Sequence, residues 1–281
     1  MQNKDFAVFI LTYGRSGKVS TYETLKKRGY TGKVYFICSD DDKELETYKR
    51  LYKEKVIVFS KKDYADTFDI GDNFTDERVV VYARNACFDL AKKVGVKYFL
   101  VLDDDYIAFH YRLYAIHKPE QIKNLDNVFD MVLDFYKTIP AKSIAMAQGG
   151  DFIGGSENTL ATNPKLKRKC MNSFFCSTER PFKFVGRINE DVNTYVQNAT
   201  KGDLFFTIPT LSITQNTTQA NSGGLTEIYL SKGTYVKSFY SVMYTPSAVK
   251  VNLMGDRHMR LHHRVKWASA VPVILNEKHK K

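Results

Sequence analysis

The sequence predicts an α/β protein built on a Rossmann-like, mostly parallel sheet flanked by helices and continued by a half with mixed strands. Three observations carry this. Residues 6–12, 33–39, 56–59 and 98–102 are short, strongly apolar runs of strand length. Helix-like segments alternate with them, most clearly where Val79, Ala83, Ala86, Cys87, Leu90 and Val94 line one face ahead of Gly95. The chain has 281 residues, 43% of them apolar, with only 7 Pro and 16 Gly, which suits one sizeable core and excludes disordered, collagen-like and low-complexity classes.

Strand–helix–strand repetition places ligand-bearing loops at the carboxyl ends of the strands, so the loops opening at Thr12, Ser39 and Asp103 are expected to face one cleft. On the helix before the fourth strand, Asn85 is expected opposite the apolar face and Arg84 at its flank, positions that by themselves read as solvated surface. A second long helix is expected after Pro119, with Ile122, Leu125, Phe129, Val132, Tyr136 and Ile139 on one face and Pro140 as its stop. The pattern then changes. A glycine-rich stretch (147–151, then Gly154–Gly155) precedes short strands near 171–176 and 204–208, a polar loop over 214–224, a helix ending before Pro246, and strands over 249–253 and 260–267. With no internal repeat and no Pro/Ser-rich linker, residues 1–281 are expected to form one domain.

Lys and Arg number 42 against 31 Asp and Glu, a formal charge of +11 that fits a polyanionic partner. The cations cluster over 165–169, 257–266 and 278–281, where a merely solvated surface is the plainer alternative. Cys38, Cys87, Cys170 and Cys176 make no C-x-x-C pair, so reduced thiols are expected rather than a disulfide framework or zinc site. The longest strongly apolar runs, 7–11 and 98–102, fall far short of the roughly 20 residues that span a bilayer. The N-terminal stretch also lacks the features of a signal peptide. A cytoplasmic protein with no membrane partner is the expectation.

The strongest chemical signal is Asp103-Asp104-Asp105 directly after an apolar strand. Carboxylates crowded at a strand end repel one another, and Mg²⁺ or Mn²⁺, which favour oxygen ligands, would relieve the repulsion and clamp a diphosphate. Aspartates that only cap the following turn are the alternative. Gly14-Arg15-Ser16-Gly17-Lys18 does not make a P-loop, because only two residues separate the glycines and Val19 follows the lysine. What remains is a loop in which Thr12, Tyr13 and Arg15 offer hydroxyls, a ring and a guanidinium to a base, ribose or phosphate. Asp191, in Asn189-Glu190-Asp191, is a candidate general base or an ordinary first-turn acid. His262 and His263 are candidate metal or diphosphate groups; strand alternation would send them to opposite faces, so that one of the two would ligate.

Taken together, the Thr-Tyr-x-Arg loop, a second strand ending in Ser-Asp-Asp, the Ala-Arg-Asn helix and Leu-Asp-Asp-Asp resemble glycosyltransferases of the GT-A fold. Phe9–Arg15, Tyr82-Ala-Arg-Asn85 and His262–Trp267 look most like the TET/JBP-associated glycosyltransferases of bacteriophages, a group linked to sugar transfer onto hydroxymethylated pyrimidines in DNA. The resemblance implies a nucleotide-sugar-binding half over 1–115 and an acceptor-binding half over 116–281 that ends in a metal and diphosphate segment. It further implies that Asp103 and Asp105 are the metal-binding acids of a D-x-D motif, Asp105 the more direct, with His262 or His263 completing the site. Thr12, Tyr13, Arg15, Asp40 and Asp104 would border the nucleotide, Arg84 and Asn85 would approach the donor, and Asp191 would be the base of an inverting reaction. The implied donor is a nucleoside-diphosphate sugar, a UDP-sugar by the resemblance, and the implied partner is DNA. Competing readings are a glycosyltransferase of surface glycans, a nucleotidyltransferase, and a DNA-binding protein without activity.

Overall fold

The computed structural model describes residues 3–75, 77–112, 119–152, 168–216, 236–254 and 259–270. Its first half runs β1 (Phe6–Leu11), α1 (Ser20–Lys27), β2 (Lys33–Ser39), α2 (Leu45–Tyr52), β3 (Val56–Phe59), α3 (Val81–Lys93) and β4 (Tyr98–Asp103). After it come β5 (Tyr106–Tyr111), β6 (Glu120–Gln121), α4 (Leu125–Thr138), β7 (Ala141–Ala147), β8 (Phe174–Ser177), α5 (Glu190–Ala199), β9 (Leu204–Gln215), α6 (Val236–Tyr244), β10 (Val249–Met254) and β11 (Arg260–Val265).

Nine strands form one sheet in the order β3-β2-β1-β4-β8-β7-β9-β5-β6. The first four are mutually parallel, so the loops after β1, β2 and β4 share one edge of the sheet. Beyond β4 the pairing is mixed: β8 runs antiparallel to β4, β7 parallel to β9, and β5 antiparallel to β9. Every residue of β1 is buried, because both sheet faces are covered. Phe6, Val8 and Ile10 join the core beneath α1, α2 and α4, whereas Ala7, Phe9 and Leu11 join the core beneath α3, α5 and α6. That is the period-two alternation of a strand between two apolar layers.

Several elements depart from the sequence reading. The helix expected from Ile122 begins at Leu125, where the Asn124 side chain accepts a hydrogen bond from the Asn127 N–H at 3.0 Å and caps the first turn. Ile122 is still buried, but its N–H donates to the Phe109 carbonyl beside edge strand β6. Strands β5 and β7 carried no recognised strand signal. The strand expected over 204–208 continues to Gln215: around Pro209, which has no N–H to donate, the register on β7 jumps from Met146↔Ile208 to Ala147↔Ser212, and the second half pairs with β5.

Gly154–Gly155, Lys165–Lys167, most of the 214–224 loop, Arg257 and 278–281 lie outside the described residues. All four cysteines are buried free thiols. Among the described residues no helix is long and apolar enough to cross a membrane.

Candidate active site

The loop after β1 is held to the carboxylate strand by its own side chains. Thr12 donates to Asp104 Oδ2 at 2.8 Å, and Arg15 Nη1 pairs with Asp104 Oδ1 at 3.0 Å. The Tyr48 hydroxyl lies 2.6 Å from Thr12 Oγ1 and accepts the Arg15 N–H at 2.9 Å. Gly14, at φ +65°, donates its N–H to Asp42 Oδ2, and the Ser16 N–H donates to Glu44. Carboxylates after β2 thus fold the glycine loop down, and the buried Asp42 does this while Asp40 stays exposed. Tyr13 sits under the Lys61 ammonium, 4.8 Å from the ring centroid, and Lys61 in turn pairs with Asp41 at 2.8 Å.

The three consecutive aspartates are therefore unequal. Asp104, expected among the nucleotide contacts, is only 5% exposed and has both oxygens engaged by Thr12 and Arg15, so it clamps loop to strand. Asp103 accepts from the Tyr106 hydroxyl at 3.3 Å and lies 3.5 Å from Arg84 Nη2, with about a third of its side chain open, 32%. Burial raises the carboxyls of Asp103 and Asp104 despite these cations. Asp105 is pushed up as well, to about 7, by burial first and then by Asp103 and Asp104.

Arg84 and Asn85 are not on a solvated helix surface. Residues 182–190 cover that side of α3 and leave Arg84 2% and Asn85 3% exposed. Asn85 donates to the Phe184 carbonyl at 3.0 Å and accepts the Phe184 N–H at 2.8 Å, so its amide is spent on the backbone. Arg84 makes an ion pair with Glu190 and faces the rings of Phe174 and Phe184 at 4.8 and 5.6 Å. Burial disfavours its charge, but Glu190, Asp103 and Asp191 together outweigh that and push Arg84 upward. One buried guanidinium thus links the end of β4 to the start of α5.

At that start Asn189 adopts φ 55° and ψ 33°, the left-handed conformation that asparagine tolerates, and turns Glu190 and Asp191 into the first helical turn. Asp191 is 7% exposed, and its Oδ1 accepts the Val192 N–H at 2.7 Å. Asn189 donates to the Lys237 carbonyl at 2.7 Å and meets His263 Nδ1 at 3.3 Å. Burial, then His262 and nearby lysines, depress His263 to about 3, so its imidazole is neutral. The two histidines hold alternate positions of β11, yet their ring centroids are only 4.3 Å apart. Beside them Lys169 pairs with Asp151, which also accepts the Gln148 N–H at 3.0 Å.

Sequence reasoning missed Glu190, Asp42, Tyr48 and the pairing of Lys169 with Asp151. Glu190 had a visible signal in its place beside Asp191, and Asp151 and Lys169 had theirs in the glycine-rich stretch and the basic cluster, though not as partners. Among the described residues no three carboxylate, imidazole or thiolate groups converge as a ready metal cage, so Asp103, Asp105, His262 and His263 do not form one.

The sequence matches the TET-Associated Glycosyltransferase family over residues 6–224, and the chain belongs to that family. It is a glycosyltransferase. No curated protein matches the sequence. Among solved structures, glucosyl-3-phosphoglycerate synthase from Mycobacterium tuberculosis, in complex with Mg²⁺ and UDP, is similar at 11% identity and a TM-score of 0.47, covering 94% of this chain and 90% of that one. TarS from S. aureus (residues 1–349) is similar at 12% identity and a TM-score of 0.41, covering 84% of this chain and 65% of that one.

Proposed function

We propose that the chain transfers a sugar from a nucleoside-diphosphate sugar, a UDP-sugar in the simplest case, to the hydroxyl of a hydroxymethylpyrimidine in DNA, with the aid of Mn²⁺ or Mg²⁺. The observation that carries this reading is the charge imbalance at the end of β4 in a chain of this family: Asp104 is neutralised by Arg15, Asp103 has to share Arg84 with Glu190, and Asp105 has no ion-pair partner among the described residues, so these carboxylates outnumber their cations. A hard divalent cation fits such oxygen donors. An ion of the Mg²⁺ kind takes one or two carboxylates and completes its shell with substrate phosphate and water, which suits a site with no three-residue cage among the described residues. When bound, it would supply charge to stabilise the departing diphosphate.

The other roles fall to the chain itself. Thr12, Tyr13, Arg15 and the exposed Asp40 border the nucleotide. Asp191 takes the proton of the acceptor hydroxyl as that oxygen bonds to the anomeric carbon and the carbon–diphosphate bond breaks on the opposite side, so the configuration inverts. Arg84 and Glu190 hold Asp103 and Asp191 in register across the cleft. Family membership favours this reading over nucleotidyl transfer, and the +11 charge favours DNA over a neutral glycan.

Turnover of nucleotide sugars on hydroxymethylated DNA tests the roles. Asp191→Asn should lower turnover by roughly 10²-fold or more while leaving donor affinity intact. Excess EDTA should abolish transfer by the native chain. Lost donor affinity with unchanged turnover would make Asp191 a donor contact, and full activity in EDTA would remove the metal from the scheme.

A further inference from the structure

Strands β10 and β11 form a separate two-stranded antiparallel ribbon. Residues opposed across such a ribbon share a face. One face carries Val249↔Val265 and Val251↔His263. It packs inward, with Val249 fully buried and Val265 against the core beneath α3, α5 and α6. The other face carries Lys250↔Arg264 and Asn252↔His262, and the bond from the Lys266 N–H to the Ala248 carbonyl at 2.7 Å carries the pairing one residue further, to the exposed Lys266.

Lys250, Arg264 and Lys266 are all exposed, and among the described residues none of them forms an ion pair with a carboxylate. The ribbon also touches α5 on both sides of Asp191. His263 meets Asn189, two residues before it, and the Trp267 ring stacks on Tyr195, four residues after it, at 6.0 Å and 16°. Trp267 remains 36% exposed, an aromatic surface beside the basic face. A row of unpaired cations beside an open aromatic ring is the combination that holds a phosphate backbone and a base unstacked from it.

We propose that the outer face of the β10–β11 ribbon docks the phosphodiester backbone of DNA and presents the acceptor nucleotide to the cleft beside Asp191. This rests on the acceptor proposed above. A two-stranded ribbon is of a size that a DNA groove admits, and a base turned out of the stack would meet Trp267 on its way to the cleft.

The test is anisotropy of a fluorescein-labelled hydroxymethyluracil-containing duplex over a range of salt concentrations. It compares the native chain with Lys250→Glu/Arg264→Glu/Lys266→Glu and with Lys27→Glu/Arg50→Glu/Lys123→Glu. The second variant changes the net charge equally but at exposed positions on α1, α2 and the approach to α4, which cover the opposite face of the sheet. The ribbon variant should bind at least about tenfold more weakly, and its slope of log K against log[salt] should be shallower by roughly 2.7, or about 0.9 for each of its phosphate contacts. The control should change far less, and circular dichroism should show both variants folded. Equal losses in both variants, or none in either while the native chain binds DNA, would overturn the ribbon and leave the DNA acceptor standing. A native chain that binds no DNA yet glycosylates a glycan would overturn the acceptor, and the ribbon with it.

Discussion

Arg84 shows how far a residue's role departs from its place in a pattern. On the helical spacing of α3 it is a flank position, yet it is buried among Glu190, Asp103 and two aromatic rings. Arg84→Met strands two carboxylates and should cost about 3–5 kcal/mol, whereas Arg84→Met/Glu190→Met should cost clearly less than the sum of the single changes. A urea double-mutant cycle reads the difference, and strict additivity would deny the coupling. The carboxylate triplet was legible in the sequence because three like charges after an apolar strand need a reason. Which aspartate is clamped was not, since that depends on Arg15 and Thr12 arriving from a loop 89 and 92 residues away in sequence.

Asp105 also carries a pH signature. Its carboxyl titrates near 7 in the fold against an ordinary 3.8. Between those values the native state keeps a proton that the unfolded chain has released, so this group lowers stability as pH rises from about 4 to about 7. Buried His263 opposes it over nearly the same window, because the unfolded imidazole binds a proton below 6.5 that the native ring refuses until about 3. The two slopes offset each other in the native chain, so the informative quantity is a difference. In the absence of metal, Asp105→Asn should gain stability over the native chain as pH rises from 5 to 8, and divalent cation should shrink that gain. Thermal melts at several pH values measure it, and a pH-independent difference would contradict the assigned shift.

Among the elements, the strands of the first half were legible to within a residue, because each is an apolar run between turn signals and is covered on both faces. β5 and β7 were hidden for physical reasons. β5 begins directly after the triplet, at Tyr106, with a mixed pattern whose Ile107 is exposed, and β7 starts straight after the proline that ends α4. The segment preceding α5 was invisible too, since its structure is set by distant partners. The Gly186 and Arg187 N–H groups donate to the Asp69 and Ile70 carbonyls at 2.8 and 2.9 Å, and buried Arg187 donates from Nε to both oxygens of Asp72 at 2.9 Å. Tyr240 and Tyr244 of α6 fasten the same stretch through Asp72 and the Asp69 carbonyl. Gly186 sits at φ +90°, where a Cβ would run into Asn193 and Tyr244. Gly186→Ala should therefore cost at least about 1–3 kcal/mol, strain and overpacking combined. A chemical denaturation midpoint unchanged by the substitution would show that this strap does not hold α5 in place.

At the scale of the whole molecule, a parallel half supplies the loops after β1 and β2 and Asp103–Asp105, and a mixed half supplies Glu190, Asp191 and the ribbon, with Arg84 joining the two. That the loops after β1, β2 and β4 share one edge of the sheet was readable from the order of the pieces alone. The covering of α3 by 182–190 and the approach of the β10–β11 ribbon to α5 were not, because an irregular segment and a separate ribbon leave no periodic mark of the distant element they pack against. The central claim is sugar transfer onto a hydroxymethylpyrimidine, and the most direct measurement is mass spectrometry of nucleosides from hydroxymethylated DNA after incubation with a panel of nucleotide sugars and Mn²⁺. The native chain should add the mass of one hexose or pentose to the hydroxymethylpyrimidine nucleoside with at least one donor, and Asp191→Asn should all but remove that product. Unmodified nucleosides with every donor, from a folded preparation that still glycosylates a glycan acceptor, would contradict it.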